Sequence, residues 1–398
     1  MPRTRMSPAL WRPHCRSCSR GRSASSPAPS SLWTKPAASW GSCRACRWAR
    51  RRRRWFENGA GGSFARDSGG SALSGAVGID IGGTAVKLAA VSAAGEPGEL
   101  VTLPTRPSDG PEETLRRVAE AAAPLLPAAR LGERRILGVA CAGAVRADAG
   151  LVTTSPNLPG WKDVPVVRLL APHIDAEIRL LNDADAFLLG EARCGAGRGA
   201  RVLLGLTLGT GVGGAILLDG RLFTGARYGA GEFGHTPLEW NGPVCPCGSR
   251  GCLEVFAGNR AIVKKYMELS GEALSPQVLR RLPRDRDALT PEIISRAADD
   301  GDGLARETYR QAGEALGASL AGFANIFDPD RIVIGGGVAL AGEWLLAPAR
   351  KALRERMLDP GRGAPDVRSA ELGTAAAVVG AALDALGFAG DGGPAPGG

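Results

Sequence analysis

Residues 201–223 read RVLLGLTLGTGVGGAILLDGRLF, and residues 76–91, AVGIDIGGTAVKLAAV, carry the same pattern. Each is an apolar strand, a Gly/Thr turn and a second apolar strand, the signature of a hairpin. Each also opens a stretch in which strands alternate with helix-forming segments, as expected of sheets covered on both faces. The repetition predicts an α/β protein of two related lobes with a cleft between them.

Around these hairpins the chain predicts a helix over 112–130, a buried strand over 135–145 (RILGVACAGAV), and a strand running into a helix over 177–192. A long helical region follows the cysteine-rich segment, with a polar, proline-containing interruption near 270–290. DRIVIGGGVAL (330–340) reads as another buried strand ending in a glycine turn. ELGTAAAVVGAALDAL (371–386) reads as the last helix, and residues 387–398 as a flexible tail. The expected organisation is an N-terminal lobe over 73–186, completed by the helix near 371–386, and a C-terminal lobe over 187–370.

Charge separates this body from what precedes it. The whole chain carries a formal +9, but residues 1–70 hold 15 Arg and Lys against Glu57 and Asp67, leaving the remainder at −4. The basic segment has no helical or alternating apolar periodicity and contains the run Arg50–Arg54, so it offers no face to bury. Residues 1–72 are therefore expected to be a low-complexity arm, disordered or targeting, or a stretch ahead of the true start. No apolar core of a secretory signal follows the charges, and no run long enough to span a membrane occurs. The arm contains Cys15-x-x-Cys18 and Cys43-x-x-Cys46, a zinc-like spacing that chance also supplies in so Arg-, Ser- and Cys-rich a segment.

Both hairpin turns can approach a phosphate chain, because glycine lets backbone N–H groups come close. Asp80, Gly82, Gly83 and Thr84 form one such turn, and Gly209, Thr210 and Gly211 the other. Asp80 can hold Mg²⁺ through water. Plain hairpin turns are the bland alternative. The P-loop and dinucleotide signatures are absent. Gly335, Gly336 and Gly337 form a third glycine turn, with room for an adenosine against the backbone. Asp183, at the end of an apolar strand behind Asn182, is placed to act as a general base or as a helix N-cap.

His235, Cys245, Cys247 and Cys252 supply one imidazole and three thiols within 18 positions, a closed Cys₃His set for structural zinc with no vacancy for water or substrate. A disulfide is the competing reading, but the body shows no secretory signal, which points to a reduced, cytoplasmic setting. Gly248 and Gly251 allow the knuckle to turn tightly. Glu232 and Glu254 flank it and suit the holding of several sugar hydroxyls.

Taken in order, DIGGT, SPNLPGWKDVPV, LLNDADA, LTLGTGVGGAI, GEFGH, CPCGSRGCLE and DPDRIVIGGG resemble the ROK family of sugar kinases and sugar-responsive repressors. The resemblance covers roughly residues 76–390. It implies an actin-like ATPase (ribonuclease H-like) fold, α/β, with two lobes closing on ATP and a hexose. Asp183 then corresponds to the base that deprotonates the sugar hydroxyl attacking the γ-phosphate of Mg·ATP. Asn157, Asn182, Glu232, His235 and Glu254 correspond to the hexose contacts, with His235 sharing its second ring nitrogen. The glycine turns at 82–84 and 209–211 correspond to the phosphate loops, and 335–337 to the adenosine side. Two positions depart from the pattern: Ala85, where many members carry Lys, and Arg146, where an acidic residue often follows the strand.

SPNLPGWKDVPV and GEFGH resemble the glucokinase branch, so glucose is the expected acceptor. N-acylmannosamine, N-acetylglucosamine, allose and fructose kinases share nearly the same pocket. A repressor would need a helix-turn-helix ahead of DIGGT, and residues 1–70 lack two amphipathic helices, so no nucleic-acid partner is expected. A homo-oligomer, dimer or tetramer, would be normal for the family.

Overall fold

The computed structural model describes residues 75–271, 273–283 and 289–390. The basic arm with its two CxxC pairs, and residues 391–398, lie outside the described residues.

The first hairpin is β1 (Gly75–Ile81) and β2 (Ala85–Ser92), paired antiparallel up to Ile81↔Val86 around the Gly82–Thr84 turn. A short exposed strand, β3 (Val101–Pro104), adds to β2. Helix α1 (Gly110–Ala122) is shorter than the expected 112–130, and its continuation Ala123–Ala128 is a 3-10 helix. Pro124 and Pro127 lie in that continuation and lack the N–H groups an α-helix needs. β4 (Arg130–Leu131) then turns into β5 (Arg134–Cys141), which runs parallel to β1.

The single strand expected over 135–145 is broken. Gly143 adopts a φ of 115°, which a side chain would strain, and the chain leaves the sheet there. β6 (Ala144–Arg146), β7 (Leu151–Thr154) and β8 (Lys162–Val164) form a separate antiparallel sheet. After α2 (Val166–Leu170), β9 (Glu177–Asn182) returns to pair parallel with β5 and leads into α3 (Asp183–Cys194).

The second hairpin is β10 (Val202–Leu208) and β11 (Val212–Leu218), followed by β12 (Arg221–Leu222). Beyond the cysteine-rich segment come α4 (Glu254–Ala257), α5 (Asn259–Ser270), α6 (Pro276–Leu279), α7 (Pro291–Asp299) and α8 (Gly303–Phe327). β13 (Arg331–Gly335), α9 (Glu343–Arg356) and β14 (Asp366–Ser369) complete this half, and α10 (Ala376–Gly390) closes the chain. The last helix thus begins later than the expected 371, after a 3-10 turn at Gly373–Ala375, and residues 387–390 of the expected tail are helical.

The duplication read from the hairpins extends through both sheets. One has the order β3-β2-β1-β5-β9, with β4 on β5, and the other β12-β11-β10-β13-β14. In each, a three-stranded antiparallel meander is followed by two strands parallel to its first. Each sheet has its own core: Ile79, Leu88, Leu137 and Trp161 in one half, and Leu206, Ile332, Leu316 and Leu345 in the other.

Helix α10, last in the chain, lies against β1 and β5 of the first sheet. Gly78 and Gly138 make this possible: a Cβ at either would fall inside the van der Waals radius of the Val378 or Ala381 carbonyl oxygen. No helix among the described residues is long and apolar enough to cross a membrane.

Candidate active site and metal centre

The parallel strands of the first sheet end together. Ile81 pairs with Cys141, and Cys141 with Asn182. In open sheets of this kind ligands bind just beyond the carboxyl ends of the strands. Asp80 stands one residue before the end of β1, and Asp183 opens α3 directly beyond β9. Two strand spacings, about 10 Å, separate their strands.

Asn182 settles what Asp183 does for its helix. The Asn182 Oδ1 accepts from the N–H groups of Ala184 at 2.8 Å and Asp185 at 3.2 Å, and its Nδ2 donates to the Gly143 carbonyl at 2.8 Å. Asn182 is therefore the N-cap, and Asp183 is the first helical residue with its carboxylate free of that duty. Asp183 is half-buried. Burial, and next the negative charge of Asp80, push its carboxyl up to about 7, against the pull of the Ala184 N–H; Glu232 adds to the rise.

Asp80 is also raised by burial, and Lys87 at 3.5 Å holds it back. Lys87 was not singled out from the sequence, although the hairpin register faces it directly at Asp80, and opposed cross-strand residues pair. Asp185 is a second residue the sequence did not flag. Burial and then Asp183 push its carboxyl up to about 7.

The turn at 82–84 meets the loop bearing Asn157. A Cβ on Gly83 would come 2.6 Å from the Asn157 carbonyl oxygen, and the Thr105 hydroxyl braces the turn by donating to the Gly82 carbonyl at 2.6 Å. Thr84 and Thr210 stand exposed at the tips of their turns.

The second turn is held from below. The Gly209 N–H donates to the Gly211 carbonyl and the Asn259 N–H to the Gly209 carbonyl, each at 2.8 Å. Glu254 Oε2 accepts from the Val212 N–H at 2.9 Å and leaves Gly211 no room for a Cβ. Glu254, expected at the sugar, thus anchors the 209–211 turn. Gly335 pairs with Thr207 in the neighbouring strand, which sets the 335–337 turn beside the 209–211 turn.

The fourth group of residues comes together around the knuckle. The ligand atoms of His235, Cys245, Cys247 and Cys252 all lie within 4.8 Å of one another. Cys245 Sγ is 3.7 Å from His235 Nδ1, and Cys247 Sγ is 3.8 Å from Cys252 Sγ. Zinc–sulfur bonds of about 2.3 Å and zinc–nitrogen bonds of about 2.0–2.1 Å put tetrahedral edges at about 3.6–3.8 Å, so the donor set fits zinc. Gly248 at φ 91° and Gly251 at φ 63° make the turns, and the Cys245 N–H closes one by donating to Ser249 O at 2.8 Å. With Nδ1 facing the thiols, His235 Nε2 is left for another partner.

Known proteins resemble this chain over most of its length. The ROK family profile matches residues 76–386. A glucokinase of Thermotoga maritima is 35% identical over 309 residues, 77% of this chain and 95% of that one. A glucokinase of Streptomyces coelicolor is 34% identical over 312 residues, 77% of this chain and 96% of that one. The crystal structure of a ROK family glucokinase from Streptomyces griseus, in complex with glucose and AMPPNP, superposes with a TM-score of 0.71 at 32% identity, over 78% of this chain and 99% of that one. The chain belongs to the ROK family.

Proposed function

We propose that the protein transfers the γ-phosphoryl group of ATP to a hexose, with glucose the preferred acceptor and its 6-hydroxyl the attacking group. The observation that carries this reading is Asp183: a carboxyl pushed up to about 7 at the strand ends, with its helix capped by another residue. A general base works best when its pKa lies near the operating pH. In the proposed step Asp183 takes the hydroxyl proton as the sugar oxygen attacks phosphorus. The bond from the γ-phosphorus to the bridging oxygen breaks, and ADP leaves.

The chain's own groups divide the remaining work. The N–H groups of Gly83, Thr84, Thr210 and Gly211 would face the phosphates, those of Gly82 and Gly209 being spent inside their turns, and 335–337 would carry the adenosine side. Asp80 would hold Mg²⁺, which when bound neutralises charge between the phosphates. Asn157, Asn182, Glu232, His235 and Glu254 accept or donate to the sugar hydroxyls. Asn182 keeps one amide N–H for this, since its other is donated to the Gly143 carbonyl and its Oδ1 is engaged in the cap. His235, Cys245, Cys247 and Cys252 would hold zinc as a closed structural site, which fixes the position of the flanking carboxylates. Unpaired thiols at all five described cysteines suit a cytoplasmic setting.

Glucose is favoured because the relatives matched over nearly their whole length are glucokinases. Other hexoses are competitors, because the same carboxylates and amides would serve them. The decisive experiment measures ADP release by the full chain with ATP and a panel of hexoses. Glucose should give the highest kcat/KM, and Asp183→Ala should lose turnover while still binding it. Sugar binding without turnover of any hexose would overturn the reading.

A further inference from the structure

Glu191 is the one fully buried carboxylate in the second half of α3, at 0% exposure. Its partners are three backbone amides. Oε2 accepts from Ala196 N–H at 2.8 Å and Glu371 N–H at 3.1 Å, and Oε1 from Leu372 N–H at 2.8 Å. A buried carboxylate is costly unless its oxygens are hydrogen-bonded. Hydrogen bonds to an ionised acceptor are roughly twice as strong as neutral ones.

The location of those amides gives the arrangement its meaning. Among the described residues the chain passes from the first sheet to the second through α3 and residues 195–201. It passes back through residues 370–375 into α10. Ala196 lies on the outward connection, and Glu371 and Leu372 lie on the return. One side chain thus ties both connections together. The helices they adjoin are locked to each other: a Cβ at Gly190 would strike the Ala376 carbonyl oxygen, and one at Gly380 the Ala186 carbonyl oxygen. Helix α3 packs on β10 and β11 of the second sheet, as α10 does on β1 and β5 of the first. This tight helix contact is thus the seam on which the halves turn, and Glu191 holds the two connections beside it.

We propose that Glu191 is a positioning residue for the phosphoryl transfer, the clasp of the hinge on which the two halves close. It rests on the kinase reading given above. Asp183 sits at the other end of the same helix, eight residues and about 12 Å away, where β9 of the first sheet hands the chain to a helix that packs on the second. The clasp sets how closely Asp80 and the 82–84 turn of the first sheet approach Asp183 and the 209–211 turn, without touching substrate. Glutamate suits the task because both oxygens must accept; a glutamine would turn an N–H against one of the amide donors.

The test uses the full chain. In Glu191→Gln, kcat should fall about 10- to 100-fold, as remote misplacement of reacting groups does. Hexose KM should rise, while the acidic limb of the pH profile stays where it is in the unsubstituted protein. Glu191→Asp, which keeps the charge but shortens the reach, should lose activity as well. In the unsubstituted protein, hexose should slow hydrogen exchange at Ala196, Glu371 and Leu372 together. This last measurement decides the matter should the variants fail to fold. Exchange at these amides that ignores hexose would overturn the proposal, as would a Glu191→Gln enzyme with lowered Tm but kcat and KM within about twofold. If the unsubstituted chain turns over no hexose, the kinase reading falls and this one with it; if glucose is turned over and Glu191→Gln matches it, this proposal falls alone.

Discussion

Asp183 shows how one residue's chemistry is assigned by its neighbour. Asn and Asp both cap helices, and the two stand side by side. The pairing of Asn182 Nδ2 with Gly143 O orients that amide so that its Oδ1 takes the cap. Asp183→Asn should therefore lower kcat by about 10²- to 10⁴-fold, the range for a lost general base, with glucose affinity changed little; turnover assays and calorimetric titration check both. The sign of the pH dependence follows from the raised carboxyl. Ionised Asp183 is the active form, so kcat/KM should fall as pH drops through about 7. Asp80 contributes to that rise, so the residual activity of Asp80→Asn should show its acidic limb at lower pH, measured as kcat/KM against pH.

At the scale of elements, the knuckle and the helix α10 rest on different physics. The knuckle is short, polar and turn-rich, and four convergent ligand atoms organise it. Cys247→Ala should lose bound zinc and hexose affinity together, since Glu254 both follows the last ligand and braces the 209–211 turn. Metal analysis and hexose KM should move in parallel, by about tenfold or more in KM. Helix α10 rests on close apolar packing, with its Asp384 paired to Arg179 of β9. Gly78→Val would drive a branched side chain into the backbone of α10, where nothing flexible can yield, and should cost about 1–3 kcal/mol or more of stability in thermal melts.

Across the whole molecule, the two halves share one topology and, in the proposed reaction, carry complementary equipment. Asp80 and the 82–84 turn lie on the first, the 209–211 turn and the knuckle carboxylates on the second, with Asp183 where β9 meets a helix that packs on the second sheet. Neither half holds a complete set. Hexose binding to the full chain should thus reduce its radius of gyration in small-angle scattering, and Asp183→Asn should retain that compaction because it removes the base and leaves the sugar contacts.

Much of this was legible in the residues. The paired hairpins, the Cys₃His set and the Asn182–Asp183 junction are local patterns, and each works through glycine turns or ligand spacings a few residues long. Even Lys87 was within reach, since a hairpin's register follows from its turn. What could not be read from the chain depends on partners distant in sequence. β3 is only four residues long and β14 has a single apolar residue; both exist because a neighbouring strand offers unpaired backbone groups. The break at Gly143 is set by where a separate sheet begins. Glu254 reads as a sugar contact, and its bond to the Val212 N–H shows only once the fold brings that strand to it. Glu191 reads as an ordinary helix glutamate until two connections, one of them about 180 residues further on, converge on its oxygens. Local chemistry is written in short spacings; the burial of a charge and the closing of a hinge are decided only when remote backbone amides meet it.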